Sequence, residues 1–313
     1  MPQNITLYDE TNGATAEILA SLGFNCHRFT AMLPKGPLEV LWSAPNFSSG
    51  TVRPSSSGIP ILFLFPGRIA GTNFEWEGKT YELEAGDKFG NAIHGFCHTR
   101  PWRVLEQSET RVVGQFHAWR DDPDLRARWP ADFRITATYE LRGNRLQMDY
   151  RIENPGDTPL PCGLGTHPYF RVALGAAPPD ETIVRVPATH QWELVDMLPT
   201  GQRVPLQNAG QLTAGAKFAG LTFDDVLSGL TFNRGEFEAS LTGGDAKVSI
   251  RFDDVFRECV VYTPPHREAI CIEPYTCVAG AFDLARRGID AGVRVLQGGE
   301  SFVAKVQIDV TAQ

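Results

Sequence analysis

The segment FRITATYELRGNRLQMDYRIENPG sets an apolar residue at every second position on both sides of Arg142-Gly143-Asn144-Arg145. Successive side chains of a strand point to opposite faces, so this period predicts two antiparallel strands joined by a tight turn. EFEASLTGGDAKVSIRFDD repeats the pattern around Gly243-Gly244-Asp245, and EWEGKTYEL, GAKFAGLTF and ESFVAKVQIDV add shorter strand-like runs. ATAEILASLGFN carries good helix formers, but the alternation that continues through Cys26, Arg28 and Thr30 fits a strand better. Sustained helical periodicity is hard to find anywhere, and 30 glycines and 22 prolines supply turns. Short strands over the whole length predict an all-β chain, a large antiparallel sandwich or barrel. No linker is long or polar enough to divide residues 1–313, so a single domain is expected. The Ser-, Gly- and Pro-rich APNFSSGTVRPSSSGIP is expected to be a flexible surface loop.

Charge and hydropathy remove several classes of function. The net charge is −8 with no block of Lys or Arg, so the basic surface that holds a nucleic-acid backbone is missing. The N-terminal MPQNITLYDE lacks the charged-then-apolar layout of a secretory signal, and the strongest apolar run, IPILFLF, is too short to span a bilayer. No membrane role and a cytoplasmic location are the expectation. Cys26, Cys97, Cys162, Cys259, Cys271 and Cys277 form no CxxC pair and read as buried reduced thiols.

Five stretches carry chemistry-bearing residues. In GLGTHPYF, Pro168 biases His167 toward extended backbone, and the two glycines suggest close approach of the chain to a ligand. NAIHGFCH sets His94 and His98 four apart around Cys97, a zinc-like spacing on a helix, but Gly90 and Gly95 argue against a helix and no fourth ligand is near. ECVVYTPPHREAICIEPYT reads as two strands joined at Pro264-Pro265, which puts Glu273 at or near the end of a buried strand. A carboxyl group in such a position must be paired, protonated or in use. Arg68 closes an apolar run and needs an oxygen-rich partner, from protein or ligand. EGKT imitates the end of a phosphate-binding loop, but Asn73 stands where that motif needs its first glycine, so a hairpin turn is expected; no dinucleotide fingerprint follows any strand.

Taken in order, PGRIAGTNFEWEGKTYEL, NAIHGF with RPWRV, GLGTHPYF, FDDV, VVYTPPHREAICIEPYT and GVRVLQGGES resemble the aldose 1-epimerase family, the galactose mutarotases. The resemblance implies a large antiparallel β-sandwich of the galactose mutarotase-like supersandwich type. It also implies a metal-free and cofactor-free interconversion of the α and β anomers of a free hexose such as galactose or glucose, in hexose metabolism. Carried over motif by motif, Glu273 is the general base at the C1 hydroxyl, His167 the general acid at the ring oxygen, and His94 binds and polarises that oxygen. Arg68, Asn91 and Tyr169 are implied to bind the sugar together with one aspartate of the FDDV doublet, Asp224 first and Asp225 as the fallback. A carboxylate and an imidazole that titrate near neutrality suit an exchange of acid and base roles between ring opening and closure. Among the aromatics of these motifs, Phe96, Trp102, Phe170 and Tyr275 join Tyr169 as candidates for stacking on the sugar.

Two departures bear on which sugar is bound. Gly71-Thr72 follow GRIA where many members show an asparagine and a second basic residue, and EPY carries a tyrosine where a glutamine is frequent. An epimerase of a phosphorylated or otherwise charged hexose, with Arg100, Arg103 or Arg120 converging on the charge, is the rival enzyme reading. A sugar-binding sensor without catalysis on the same fold is the third.

Overall fold

The computed structural model describes residues 3–313, and in it the alternation becomes paired strands. Strands Arg134–Arg142 and Arg145–Glu153 pair antiparallel from Arg142↔Arg145 outward. Ile135, Ala137, Tyr139 and Leu141 face inward opposite Leu146, Met148, Tyr150 and Ile152. Glu236–Gly243 and Ala246–Asp253 form the second expected hairpin, turning at Gly244-Asp245. Both hairpins flank the long strand Ser301–Ala312 inside one nine-stranded sheet. EWEGKTYEL is a hairpin closed by Glu77-Gly78, with Trp76 opposite Lys79, so no phosphate loop forms there. ATAEILASLGFN supplies strand Ala14–Leu19 and the start of Asn25–Leu33, within a separate four-stranded sheet.

A second nine-stranded sheet packs its inner face on the first. Its centre is the run Asp224–Leu230, Glu258–Tyr262, Ala269–Tyr275 and Leu160–Thr166, all antiparallel neighbours. Ile270 and Ile272 from this sheet share one core with Ile135, Tyr139 and Ile308 of the other, which makes the molecule an antiparallel β-sandwich. Alternation disappears in its central strands, because every residue of Leu160–Thr166 and of Ala269–Tyr275 is buried. One face of these strands lies on the core, and their other face is covered as well.

Two expectations need correction. In GAKFAGLTF only Ala216–Lys217 is strand. Phe218–Gly220 turns instead, because the Arg267 guanidinium donates to the carbonyls of Phe218 and Leu221 at 2.9 Å and lies over the Phe218 ring. APNFSSGTVRPSSSGIP is exposed at residues 48–51, but Phe47, Ser55, Ser57 and Ile59 are buried. The buried Asn25 side chain holds this return leg, donating to the Ser57 carbonyl and accepting from the Ile59 amide, each at 2.9 Å. No helix among the described residues is long and apolar enough to cross a membrane.

One indole ties together the segments that carry the candidate motifs. Trp129 is fully buried, stacks on Phe74 at 4.2 Å and 9°, packs on Phe65 and Phe96, and donates its N–H to the Pro161 carbonyl at 3.1 Å. Phe65 precedes the PGRIA turn, Phe74 lies on the hairpin after it, and Phe96 ends NAIHGF. Trp129→Ala is therefore expected to lower unfolding free energy by about 3–5 kcal/mol, measured by urea denaturation, from lost packing and the cavity left behind.

Candidate active site

The outer face of the second sheet carries a cleft of about 350 Å³ lined by Arg53, Arg68, His94, His167, Asp224 and Glu273, among others. Strand register explains why these residues meet. Cys271, Glu273 and Tyr275 alternate with the core-facing Ile270 and Ile272 and so point to the cleft side of the sheet. Glu273 is opposite Val260, which is opposite Val226, and the neighbouring row runs Cys271, Tyr262, Asp224. Asp224 and Val226 thus share the face of Glu273, and both line the cleft. Asp225 falls on the opposite face, so of the doublet Asp224 alone lines the cleft.

The other motifs arrive by pairing with one another. Arg68-Ile69 of PGRIA pairs with Ala92-Ile93 of NAIHGF, and the His94 amide donates to the Gly67 carbonyl at 2.8 Å. His94 has φ of +66°, a left-handed backbone followed by a second left-handed residue, Gly95. A Cβ at Gly95 would collide with the Phe63 carbonyl, so only glycine lets NAIHGF lie this close to the adjacent strand. His167 sits between strands Leu160–Thr166 and Tyr169–Arg171, its amide bonded to the Pro60 carbonyl at 3.1 Å. Its ring stacks on Tyr169 at 4.7 Å and 1°, and the Tyr169 hydroxyl donates to the Ser55 carbonyl at 3.1 Å.

The glycines of GLGTHPYF serve packing within the sheet. A Cβ on Gly165 would meet the Tyr275 ring at 2.6 Å, and one on Gly163 would meet the Cys277 sulfur. Gly165 is opposite Tyr275 in register, and the ring laid over it brings the Tyr275 hydroxyl to Glu273 Oε2, donating at 2.9 Å. The tyrosine of EPY thereby holds one carboxyl oxygen of the glutamate. The other, Oε1, stands 3.3 Å from His167 Nδ1, and neither atom has a further hydrogen-bond partner.

Burial controls protonation here. Glu273 is 1% exposed, and desolvation drives its pKa well above the ordinary carboxylate value, against the lowering effect of the Tyr275 hydrogen bond. Desolvation drives His167 down to about 3 and His98 to about 4, and it takes His94 well below 6.5. The expectation of an imidazole titrating near neutrality is corrected: burial and the repulsion between neighbouring rings disfavour their charged forms, His94 lying 5.7 Å from His167 and 6.0 Å from His98. Asp224 is also raised by desolvation.

Asn91 is brought near the cleft without lining it. Its side chain accepts from the Gly71 amide at 2.9 Å and donates to Asp87 Oδ2 at 3.2 Å, so it braces the loop that presents Arg68. Asp87 takes the Arg68 Nε–H at 2.7 Å. Burial opposes its ionisation, but bonds from the Asn91 amide, Arg68 and the Asn91 side chain keep its pKa below the usual value. The three arginines proposed to meet a sugar charge lie outside the cleft: Arg100 pairs with Asp122 at 3.0 Å, and Arg103 and Arg120 pair with Asp121. Of the five stacking candidates, Phe96, Trp102 and Phe170 are core residues, and Tyr169 and Tyr275 line the cleft. Arg53, Asp87, Lys88, Tyr262, Leu194 and Met197 also line the cleft without having been singled out from sequence. Among the described residues one group of three potential metal ligands is found, His167, Cys271 and Glu273; His94, Cys97 and His98 do not form one.

The family model for aldose 1-epimerase matches residues 29–309, nearly the full length of this arrangement. The chain belongs to the aldose 1-epimerase family. It is 32% identical over 143 residues to the galactose mutarotase of Homo sapiens, covering 45% of this chain and 40% of that protein. It is 30% identical over 151 residues to the maltose epimerase of Levilactobacillus brevis, covering 46% and 43%. The chain thus spans less than half the length of these two curated relatives in the matched stretches. A galactose mutarotase-like protein from Clostridium acetobutylicum superposes with a TM-score of 0.85 at 19% identity, over 100% of this chain and 99% of that one, which shows a shared fold.

The carboxyl carbon of Glu273 is expected to titrate above the ordinary carboxylate range in a 13C NMR titration, because burial favours its neutral form. Tyr275→Phe removes the hydrogen bond that favours the carboxylate, so the same titration is expected to move to still higher pH.

Proposed function

We propose that this member of the aldose 1-epimerase family interconverts the α and β anomers of a free, neutral hexose of the galactose or glucose kind. The observation that carries the reading is the pair of unpartnered atoms, Glu273 Oε1 and His167 Nδ1, 3.3 Å apart at one cleft. Opening a hemiacetal requires a proton to leave the C1 hydroxyl while another reaches the ring oxygen, so one base and one acid must act on neighbouring atoms of the same substrate.

The proposed roles follow from the proton count. A buried carboxyl and a buried imidazole at this separation share one proton, which burial leaves on the carboxyl at rest. The working arrangement is the same proton moved to His167. The carboxylate left behind is a stronger base than an exposed glutamate, and the imidazolium a stronger acid than an exposed histidine. Glu273 takes the C1 hydroxyl proton and His167 delivers its own to the ring oxygen as the C1–oxygen bond breaks. Rotation about C1–C2 presents the other carbonyl face, and reversed transfers close the ring. His94 is proposed to steady the ring oxygen, while Arg68, Asp224 and the Tyr169 ring orient the sugar.

A second reading has its own observation. Arg53 and Lys88 both line the cleft, the Arg53 guanidinium donates to the Gly86 carbonyl at 2.9 Å beside the Lys88 loop, and neither cation has an ion-pair partner among the described residues. A hexose carrying phosphate fits such a rim. Comparing kcat/KM for glucose and for glucose 6-phosphate separates the two, since a neutral-sugar enzyme favours glucose.

Polarimetry of freshly dissolved α-galactose and α-glucose tests the main reading. Glu273→Gln and His167→Ala are each expected to slow mutarotation by about 10²–10⁴-fold, and a Gln variant as fast as wild type refutes the base assignment. Asp224→Asn is expected to raise KM by about tenfold, whereas Asp225→Asn leaves it close to wild type. Because the working pair holds one proton, which at rest sits on the raised carboxyl of Glu273, that proton is lost as pH rises through the raised value, so Glu273 is expected to set the basic limb of kcat/KM, above the ordinary carboxylate range. The acid limb needs a second proton on the pair and is expected well below neutrality, where His167 titrates.

A further inference from the structure

We propose that Cys271, His167 and Glu273 form a three-ligand site for a thiophilic divalent cation of the zinc class, and that the ion, once bound, silences the acid–base pair. One potential ligand atom from each residue lies within 4.8 Å of the other two, and all three residues are buried. His167 Nδ1 and Glu273 Oε1 are nine-tenths or more buried, stand 3.3 Å apart and have no further hydrogen-bond partner, so no other protein group competes with a cation for them. Cys271 is two residues from Glu273 on the same face of its strand and directly opposite Tyr169, the ring on which His167 stacks.

The geometry suits zinc chemistry. Zinc binds sulfur at about 2.3 Å and imidazole nitrogen or carboxylate oxygen at about 2.0–2.2 Å, which sets tetrahedral ligand atoms roughly 3.3–3.7 Å apart. The His167–Glu273 separation is already 3.3 Å, and the sulfur, within 4.8 Å of both residues' ligand atoms, has to approach by at most about an ångström. His167 and Glu273 line the cleft, so a water or a sugar oxygen from that side would complete the set. Tyr169, Ala269, Trp42 and Tyr262 surround Cys271 with an apolar wall that limits water on the sulfur side. One soft and two borderline-to-hard donors in so small a space select zinc-class ions over magnesium or calcium, which take six or more oxygens.

Binding requires the thiolate, so the Cys271 thiol proton and the proton shared by His167 and Glu273 pass to buffer as the ion enters. The lone pairs then held by the ion are those that carry protons in the proposed epimerisation. Binding stands on the geometry alone, whereas the loss of activity rests on the epimerase reading.

The test uses the full chain stripped of metal with a chelator. Titration with Co²⁺ is expected to give a near-ultraviolet sulfur-to-cobalt charge-transfer band saturating at one equivalent and erased by Zn²⁺. Cys271→Ser is expected to lack the band. Glu273→Gln, which keeps the thiol and removes one oxygen donor, is expected to retain the band with about 10–100-fold weaker binding. No band in the wild type, or an undiminished band in Cys271→Ser, overturns the site. Mutarotation is expected to fall in step with zinc occupancy, to be unaffected by Mg²⁺ and to return with chelator; an unchanged rate at saturating zinc overturns the silencing. If the metal-free protein turns over no sugar at all, the epimerase reading fails while the cobalt band still decides the metal site.

Discussion

A carboxyl group buried between a protein core and the floor of a cleft governs the groups around it. Glu273 sits on a strand with isoleucines on one face and the cleft on the other, so it has almost no water to solvate a charge. Its neighbours supply what water would: a hydroxyl from Tyr275 on one oxygen and the imidazole of His167 beside the other. The hydroxyl depends on the bare backbone of Gly165, over which the tyrosine ring lies, and the imidazole depends on the stack with Tyr169 and the Pro60 carbonyl. A burial penalty on one group thus propagates into three strands of the second sheet.

The first sheet was legible in the sequence because one of its faces meets water. Arg134–Arg142 and Arg145–Glu153 display their period openly, and their turn falls where Gly143-Asn144 requires it. The central strands of the second sheet have no polar face, so LPCGLGT and AICIEPY show no alternation although they form the floor of the site. Motif resemblance pointed to Glu273, His167, His94 and Arg68, which all line the cleft, and the register of Asp224–Leu230 on Glu258–Tyr262 puts Asp224 rather than Asp225 beside them.

The remaining wall was not legible because its residues are assembled by contacts far apart in sequence. Arg53 comes from a stretch whose composition reads as a loose loop but whose return leg is fastened by Asn25. Asp87 lies in a short turn that looks unremarkable until its carboxylate is seen to collect Arg68, the Asn91 side chain and two backbone amides. Asn91 shows the converse: a motif position marks a brace as readily as a contact. The arginines at 100, 103 and 120 illustrate why counting charges near a motif misleads, since each already has an aspartate.

The cleft is built from two kinds of backbone, with Glu273 and Asp224 on ladder strands and His167 between two of them, whereas Arg53, Asp87 and Lys88 ride on connections outside the ladders. Shifting a ladder residue by one position turns its side chain to the other face, so the chemical centre changes only in discrete, mostly ruinous steps. The connections accept insertion and exchange gradually. Within this architecture a lineage can wander through substrates while standing still in mechanism.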